Sequence, residues 1–339
     1  MARRGGWTRK GSKSRGFRYF DARGREITDD AKLDRVTGLV IPPAWKDVWI
    51  SPRPTAKLQA TGIDAAGRRQ YLYHPDYRAA QEAAKYDKLI RFADALPAFR
   101  EAMSSHMELD PLAPEWTCAV AVRLINLGWF RVGDERYAKK HKTFGITTLR
   151  RSHVTVRGSR IAFRFRGKHR IWVRTAVVDT ELADAMKVLL KRRGGRRLFC
   201  YRLDDEMYSL TARRLNDYIG EFMGEEFTAK DFRTWGGTLI AAIALAERGP
   251  VDTATEAKRV VAGVMRTVGE RLGNTPAVAR SSYVSPAVVE QYLDGRTIHD
   301  FRPRHLRVVR ARDAGLDLEE QALVSLLRSW RIRRARKAA

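Results

Sequence analysis

Acidic residues, cysteines and long apolar runs are all scarce in this chain, and each scarcity removes a class of protein. Asp and Glu number 39 against 65 Lys and Arg, a formal charge of +26. An excess of that size concentrates polyanions at the surface, so the expected partner is nucleic acid. The two cysteines, Cys118 and Cys200, allow no disulfide framework and no zinc cage. No apolar run is long enough to span a bilayer, and no basic amphipathic stretch of the interfacial kind is present. The N-terminus is basic but lacks the apolar segment of a secretory signal, which points to the cytoplasm and association with the nucleoid. No acidic cluster has the spacing of metal ligands, and no repeat of fixed period occurs. What is there is an ordinary apolar fraction, 44%, over 339 residues, enough to bury real cores.

Composition divides the chain into three parts. Residues 1–16 are mostly Gly, Ser, Arg and Lys and predict a flexible basic arm. Residues 17–84 carry short β-type runs at 17–20, 46–50 and 70–73 between Gly and Pro turns, a small β-rich domain. Residues 85–339 are mainly helical and end in a basic tail, and a polar helical stretch at 79–92 straddles the boundary before them. The apolar spacing from Trp116 to Phe130 predicts a core helix that ends in a charged turn, 131–137. Runs at 152–157, 160–166 and 169–175, joined by Gly158-Ser159 and Gly167-Lys168, predict a three-stranded meander with Lys168 at a hairpin tip. Further helices are expected at 180–193, 210–223, 230–248, 254–272, 286–295 and 318–330.

Tyr283 lies in Ser281-Ser-Tyr-Val-Ser-Pro286, where Val284 is its only apolar neighbour. A phenol oxygen there can attack phosphorus and store the energy of the broken bond in a phosphodiester. Its ordinary pKa of about 10 demands help from fixed positive charge and a proton donor. Arg131, just past the core helix, and Arg233, in Lys230-Asp-Phe-Arg-Thr-Trp-Gly-Gly-Thr238, have contexts that suit clamping nonbridging oxygens. Asn274 can offer its amide to the same oxygens, and Lys168 can protonate a leaving alkoxide. Each has a plainer reading: a solvated or phosphate-positioning arginine, a turn lysine, a helix-capping asparagine, a rim tyrosine. On residue type alone both readings stay open. The same holds for the strand 70–73, where Gln70 and Leu72 share one face and Tyr71 and Tyr73 the other.

The whole ordered set resembles the type IB DNA topoisomerases of the short bacterial and poxvirus-like branch. The motifs that carry the resemblance are Gly67-Arg-Arg-Gln-Tyr-Leu-Tyr73, Phe130-Arg-Val-Gly-Asp-Glu-Arg-Tyr137, Lys142-Thr-Phe-Gly-Ile-Thr-Thr-Leu149, Phe165-Arg-Gly-Lys-His169, residues 230–238 and residues 281–286. The resemblance implies an α+β chain: a β-rich N-terminal domain and a mostly α-helical catalytic domain of the tyrosine recombinase/type IB kind, closing on duplex DNA as a C-shaped clamp. It implies Tyr283 as nucleophile, Lys168 as general acid, and Arg131, Arg233 and Asn274 as transition-state stabilisers. DNA contacts are expected at Arg68, Arg69, Gln70, Tyr71, Tyr73, Lys142, Thr147 and Arg166. The implied reaction relaxes supercoils of either sign through a 3′-phosphotyrosyl link, as a monomer, with no metal, ATP or other cofactor. Viral members carry histidine where this chain has Asn274, and an amide cannot give up a proton at neutral pH, so proton transfer falls to Lys168 and Arg131. A tyrosine recombinase and a non-enzymatic nucleoid protein are the alternatives.

Overall fold

A computed structural model describes residues 5–65, 67–302 and 315–338, and its contacts divide them at Tyr86 into two units. In the first, β1 (Trp7–Ser12), β2 (Gly16–Phe20), β3 (Lys46–Ile50), β4 (Leu58–Ile63) and β5 (Arg69–Tyr73) form one antiparallel sheet in the order β2-β1-β3-β4-β5. Helix α1 (Asp30–Gly38) is opened by Asp29, whose side chain accepts the Lys32 N–H. Val36, Val48, Ile50 and Ala60 form the floor of the core, with Trp7 and Ile27 at its edge.

The expected flexible arm is therefore corrected: residues 7–12 are a sheet strand. Two contacts hold it there. Trp7 is buried, and Arg9 donates to the carbonyls of Ile41 (3.2 Å), Pro42 (3.0 Å) and Trp45 (2.8 Å). A strand with one apolar anchor and a structural arginine looks in sequence like a polar tail. The first four residues of the expected arm lie outside the described residues.

Helix α2 (Pro75–Met107) begins in the first unit and continues into the second, longer than the 79–92 stretch expected. In the second unit follow α3 (Pro114–Gly128), α4 (Glu135–His141), the meander β6 (Val154–Arg157), β7 (Arg160–Arg166) and β8 (Trp172–Val178), α5 (Thr180–Lys191) and the hairpin β9 (Cys200–Leu203) and β10 (Glu206–Ser209). Helices α6 (Ala212–Met223), α7 (Ala229–Arg248), α8 (Ala254–Leu272), α9 (Pro276–Ser282), α10 (Pro286–Leu293) and α11 (Leu318–Ala338) complete it. Trp116 through Val122 of α3 are buried, so this stretch of the helix is enclosed on all sides and central. Phe92 and Phe232 meet edge to face at 4.9 Å, packing α2 against α7.

Three expectations change here. The 131–137 turn contains the start of α4, capped by the Asp134 carboxylate on the Arg136 N–H at 2.8 Å. The meander's second connection is a one-turn 3-10 helix, Lys168–Arg170, so β8 starts at Trp172 instead of His169. The basic tail is helical: Arg333 donates to Gln291 at 3.0 Å and pairs with Asp294 at 3.0 Å, which holds residues 331–336 within α11.

Candidate active site

The site grows out of two helix ends. An α-helix leaves its last carbonyls without intrahelical partners, and those carbonyls carry the negative end of the dipole. Helix α3 stops at Trp129, which adopts left-handed backbone angles (φ 49°, ψ 36°). For a bulky residue that conformation costs about 1–2 kcal/mol. Helix α8 stops at Gly273, also left-handed (φ 61°), where glycine carries no such cost.

Two guanidiniums fill both ends. Arg233, from the first turns of α7, donates to the carbonyl of Trp129 and, through Nη2, to that of Leu272 at 2.8 Å. Arg131, two residues beyond the α3 cap, donates from Nη2 to the Gly273 carbonyl at 2.8 Å and to Asn274 Oδ1 at 2.6 Å. Arg131 can only donate, so Asn274 must present its oxygen to it, and the amide Nδ2 is left buried with no acceptor. Arg233 Nε is also buried without an acceptor. Buried donors are nearly always satisfied, so two orphans in one site mark a place built for an anion. Burial, and for Arg131 the neighbouring Arg233, lowers both arginine pKa values, Arg131 to about 10.

Tyr283 ends α9, and its ring lies 5.0 Å from Arg233 Cζ. Burial works against ionisation of the phenol. The charges of Arg233, Arg131 and Lys230 outweigh it, and the pKa falls below the usual phenol value. The Tyr283 backbone has neighbours of its own on α7. The Thr238 hydroxyl stands 2.8 Å from the Thr234 carbonyl and 3.2 Å from that of Tyr283, and it accepts the Ser285 N–H at 3.1 Å. This close approach explains Gly236-Gly237: a Cβ on Gly237 would sit 2.7 Å from the Tyr283 carbonyl oxygen, and one on Gly236 2.2 Å from the Trp129 indole nitrogen. Helix propensity is given up there so that the main chain of Tyr283 can rest on α7.

Lys168 stands exposed at the meander tip and lines the same cavity, about 470 Å³, as Arg131 and Arg233. The tip is strained, with His169 (φ 60°) and Arg170 (φ 61°) both left-handed. The structure thus brings Arg131, Arg233, Asn274 and Tyr283 into contact and sets Lys168 at the rim. Sequence reasoning missed Trp129, Lys230 and Thr238. The last two lie in the 230–238 motif, where the lysine's spacing from Arg233 and the threonine after the glycine pair were the available signals.

The residues expected to touch DNA divide. Tyr71 and Tyr73 are exposed on β5, rings stacked at 6.2 Å, with Arg69 exposed beside them. Arg68 and Gln70 both reach the Asp64 carboxylate, at 2.8 and 2.7 Å. Lys142 is exposed at the end of α4, and Arg166 is exposed with its guanidinium 4.6 Å from the Trp172 ring. Thr147 is a correction: it is 4% exposed, and its hydroxyl donates to the Val132 carbonyl at 3.0 Å. It braces the loop that carries Arg131 and presents no side chain to solvent.

Residues 74–300 match the family described as "Eukaryotic DNA topoisomerase I, catalytic core". The DNA topoisomerase 1B of Acanthamoeba polyphaga mimivirus is 33% identical over 285 residues, 81% of this chain and 84% of the viral one. The chain belongs to the type IB DNA topoisomerase family. Residues 16–64 of this type IB topoisomerase match the N-terminal domain of the bacterial enzymes. It is also similar, at 20% identity over 239 residues, to the DNA topoisomerase I of monkeypox virus and the DNA topoisomerase 1B of vaccinia virus, covering 70% of this chain and 73% of each viral one. Neither family match extends past residue 300. Among the described residues no helix is long and apolar enough to cross a membrane, and no group of three or more His, Cys, Asp or Glu is placed to hold a metal ion.

Proposed function

We propose that this chain relaxes positive and negative supercoils in duplex DNA by cutting and resealing one strand through Tyr283. The phenol oxygen bonds to phosphorus as the bond from phosphorus to the 5′-oxygen breaks. The phenol proton passes to solvent, and the leaving oxygen takes a proton from the Lys168 ammonium. The product is a 3′-phosphotyrosyl link and a free 5′-hydroxyl, about which the downstream duplex turns. The 5′-hydroxyl then returns its proton to Lys168 and attacks phosphorus, and Tyr283 leaves. Bond energy is conserved, so no nucleotide is consumed. Arg131 and Arg233 meet the charge that develops on the nonbridging oxygens, together with Asn274 Nδ2.

The observation that carries this reading is the pairing of a phenol whose pKa is held down by three cations with two buried donors that no protein acceptor satisfies. One site suffices for the chemistry, which favours a monomer working in the cytoplasm on nucleoid DNA. The test is relaxation of negatively supercoiled plasmid in EDTA without nucleotide, beside Tyr283→Phe. Wild type should relax the plasmid and leave a detergent-trapped covalent adduct, and Tyr283→Phe should bind DNA and do neither. Adduct formation by the variant would remove Tyr283 from its role.

A further inference from the structure

Helix α11 lies beyond the residues that match the family core, yet among the described residues of the second unit it carries the carboxylate with the most hydrogen bonds. Glu320 is 3% exposed. Its Oε1 accepts from Arg100 Nη2 at 2.8 Å and from Trp235 Nε1 at 3.1 Å. Its Oε2 accepts from Arg100 Nη1 at 2.8 Å and from the Asp317 N–H at 3.1 Å. A buried ion pair is a poor way to gain stability, since well-packed apolar residues often do as well or better. What it supplies is direction.

The direction matters because of what α7 carries. Trp235 follows Arg233 by two residues, which puts it some 200° round the helix, on the side turned away from the active site. On the active-site side stand Gly236 and Gly237, where Trp129 and the Tyr283 backbone rest on bare helix. A surface without side chains offers no knob to resist rotation or sliding. The rotational setting of Arg233 then depends on what holds the back of α7, where two directional bonds stand: Lys88 to Asp231 at 2.8 Å and, nearer the glycine pair, Trp235 to Glu320 of α11 at 3.1 Å. The same helix grips α10, which starts just after Tyr283: Trp330 Nε1 donates to Glu290 at 2.7 Å, and Arg333 bonds Gln291 and Asp294.

We propose that α11 is a positioning element of the active site, acting chiefly through Glu320 on Trp235. The proposal rests on Arg233 and Tyr283 having the roles given above. Trp235→Phe, which keeps the ring and loses the N–H, and Glu320→Ala should slow detergent-trapped adduct formation on supercoiled plasmid roughly 10- to 100-fold, the scale of a small misplacement at a reacting centre. Noncovalent DNA affinity should stay at the wild-type level, as should the folded fraction of Trp235→Phe; Glu320→Ala strands the Arg100 guanidinium, so its rate is read per folded molecule, and Glu320→Gln, which keeps an acceptor for Trp235, should recover part of it. Arg328→Ala, which breaks only the exposed α11 pair with Asp94 (2.6 Å), should leave the rate unchanged. An unchanged rate in Trp235→Phe, or a loss that merely tracks affinity or folded fraction, overturns the proposal. Tyr283→Phe run alongside separates the two claims: an adduct from that variant would defeat the assignment of the nucleophile, whatever the Glu320 series shows.

Discussion

The two units each hold a pair of arginines tied to backbone carbonyls, and the pairs differ in what else they face. Arg9 and Arg35 in the first unit spend their donors on protein acceptors; Arg35 Nη2 reaches the Ser51 carbonyl at 2.7 Å and Gln59 Oε1 at 2.8 Å. Burial lowers the pKa of both, as it does for Arg131 and Arg233. In the second unit the carbonyls only aim the guanidiniums. Arg233 keeps a buried donor without an acceptor and stands against an ionisable phenol. In a chain so rich in arginine, then, neither burial nor bonding to the backbone marks an active site. A leftover buried donor is not enough by itself, since Arg192 Nε is one too; what distinguishes Arg233 is a leftover donor standing against an ionisable phenol.

The comparison breaks first at Lys168. Lys168→Ala should slow cleavage roughly 100- to 10,000-fold, and a substrate whose bridging 5′-oxygen is replaced by sulfur should restore most of the rate, because a thiolate leaves without a proton. Failure of that substrate to help would move the acid elsewhere. Arg233→Ala should cost about 100- to 1,000-fold in single-turnover cleavage, and sulfur should not rescue it, because the lost interaction is with the nonbridging oxygens. The pH profile sharpens the point. Positive neighbours favour the phenolate, so wild-type cleavage should rise with pH below the usual phenol range, and Arg233→Ala should shift that rise to higher pH. A profile that did not move would mean that the phenol is not ionised by Arg233. The smallest effect belongs to the first unit: Arg35→Ala should lower stability by about 1–3 kcal/mol in denaturant titration, leaving the cleavage rate per folded molecule unchanged.

Much of the second unit was legible because its helices announce their ends. Gly249, Gly273 and Gly295 stand just past helices, and Thr275-Pro276 and Ser285-Pro286 open them. The chemistry was legible through the ordered motifs, since Tyr283, Arg131, Arg233 and Asn274 are far apart in sequence and only a family pattern links them. Three things stayed hidden. β1 has a single buried apolar residue and is held by an arginine's hydrogen bonds, which no hydropathy pattern records. β4 (Leu58–Ile63) hides in a run of Gln, Ala, Thr and Gly, buried by its neighbours more than by its own side chains. Thr147 sits in a motif that reads as a surface, while its hydroxyl is turned inward to Val132.

The Thr238 hydroxyl, set between the Thr234 carbonyl of its own helix, the Tyr283 carbonyl and the Ser285 amide, has a mechanical meaning. Under the role proposed for Tyr283, tension in the turning duplex would be delivered to this residue once a strand end is joined to it, and from there to its main chain. A nucleophile on a free loop would yield and drift from the phosphate it must later release. Here the pull passes through a buried threonine, 0% exposed, into a twenty-residue helix. With Tyr283 in its proposed role, the broken end would be held as a mooring holds a line, and the 5′-hydroxyl would return to a phosphorus that has not moved.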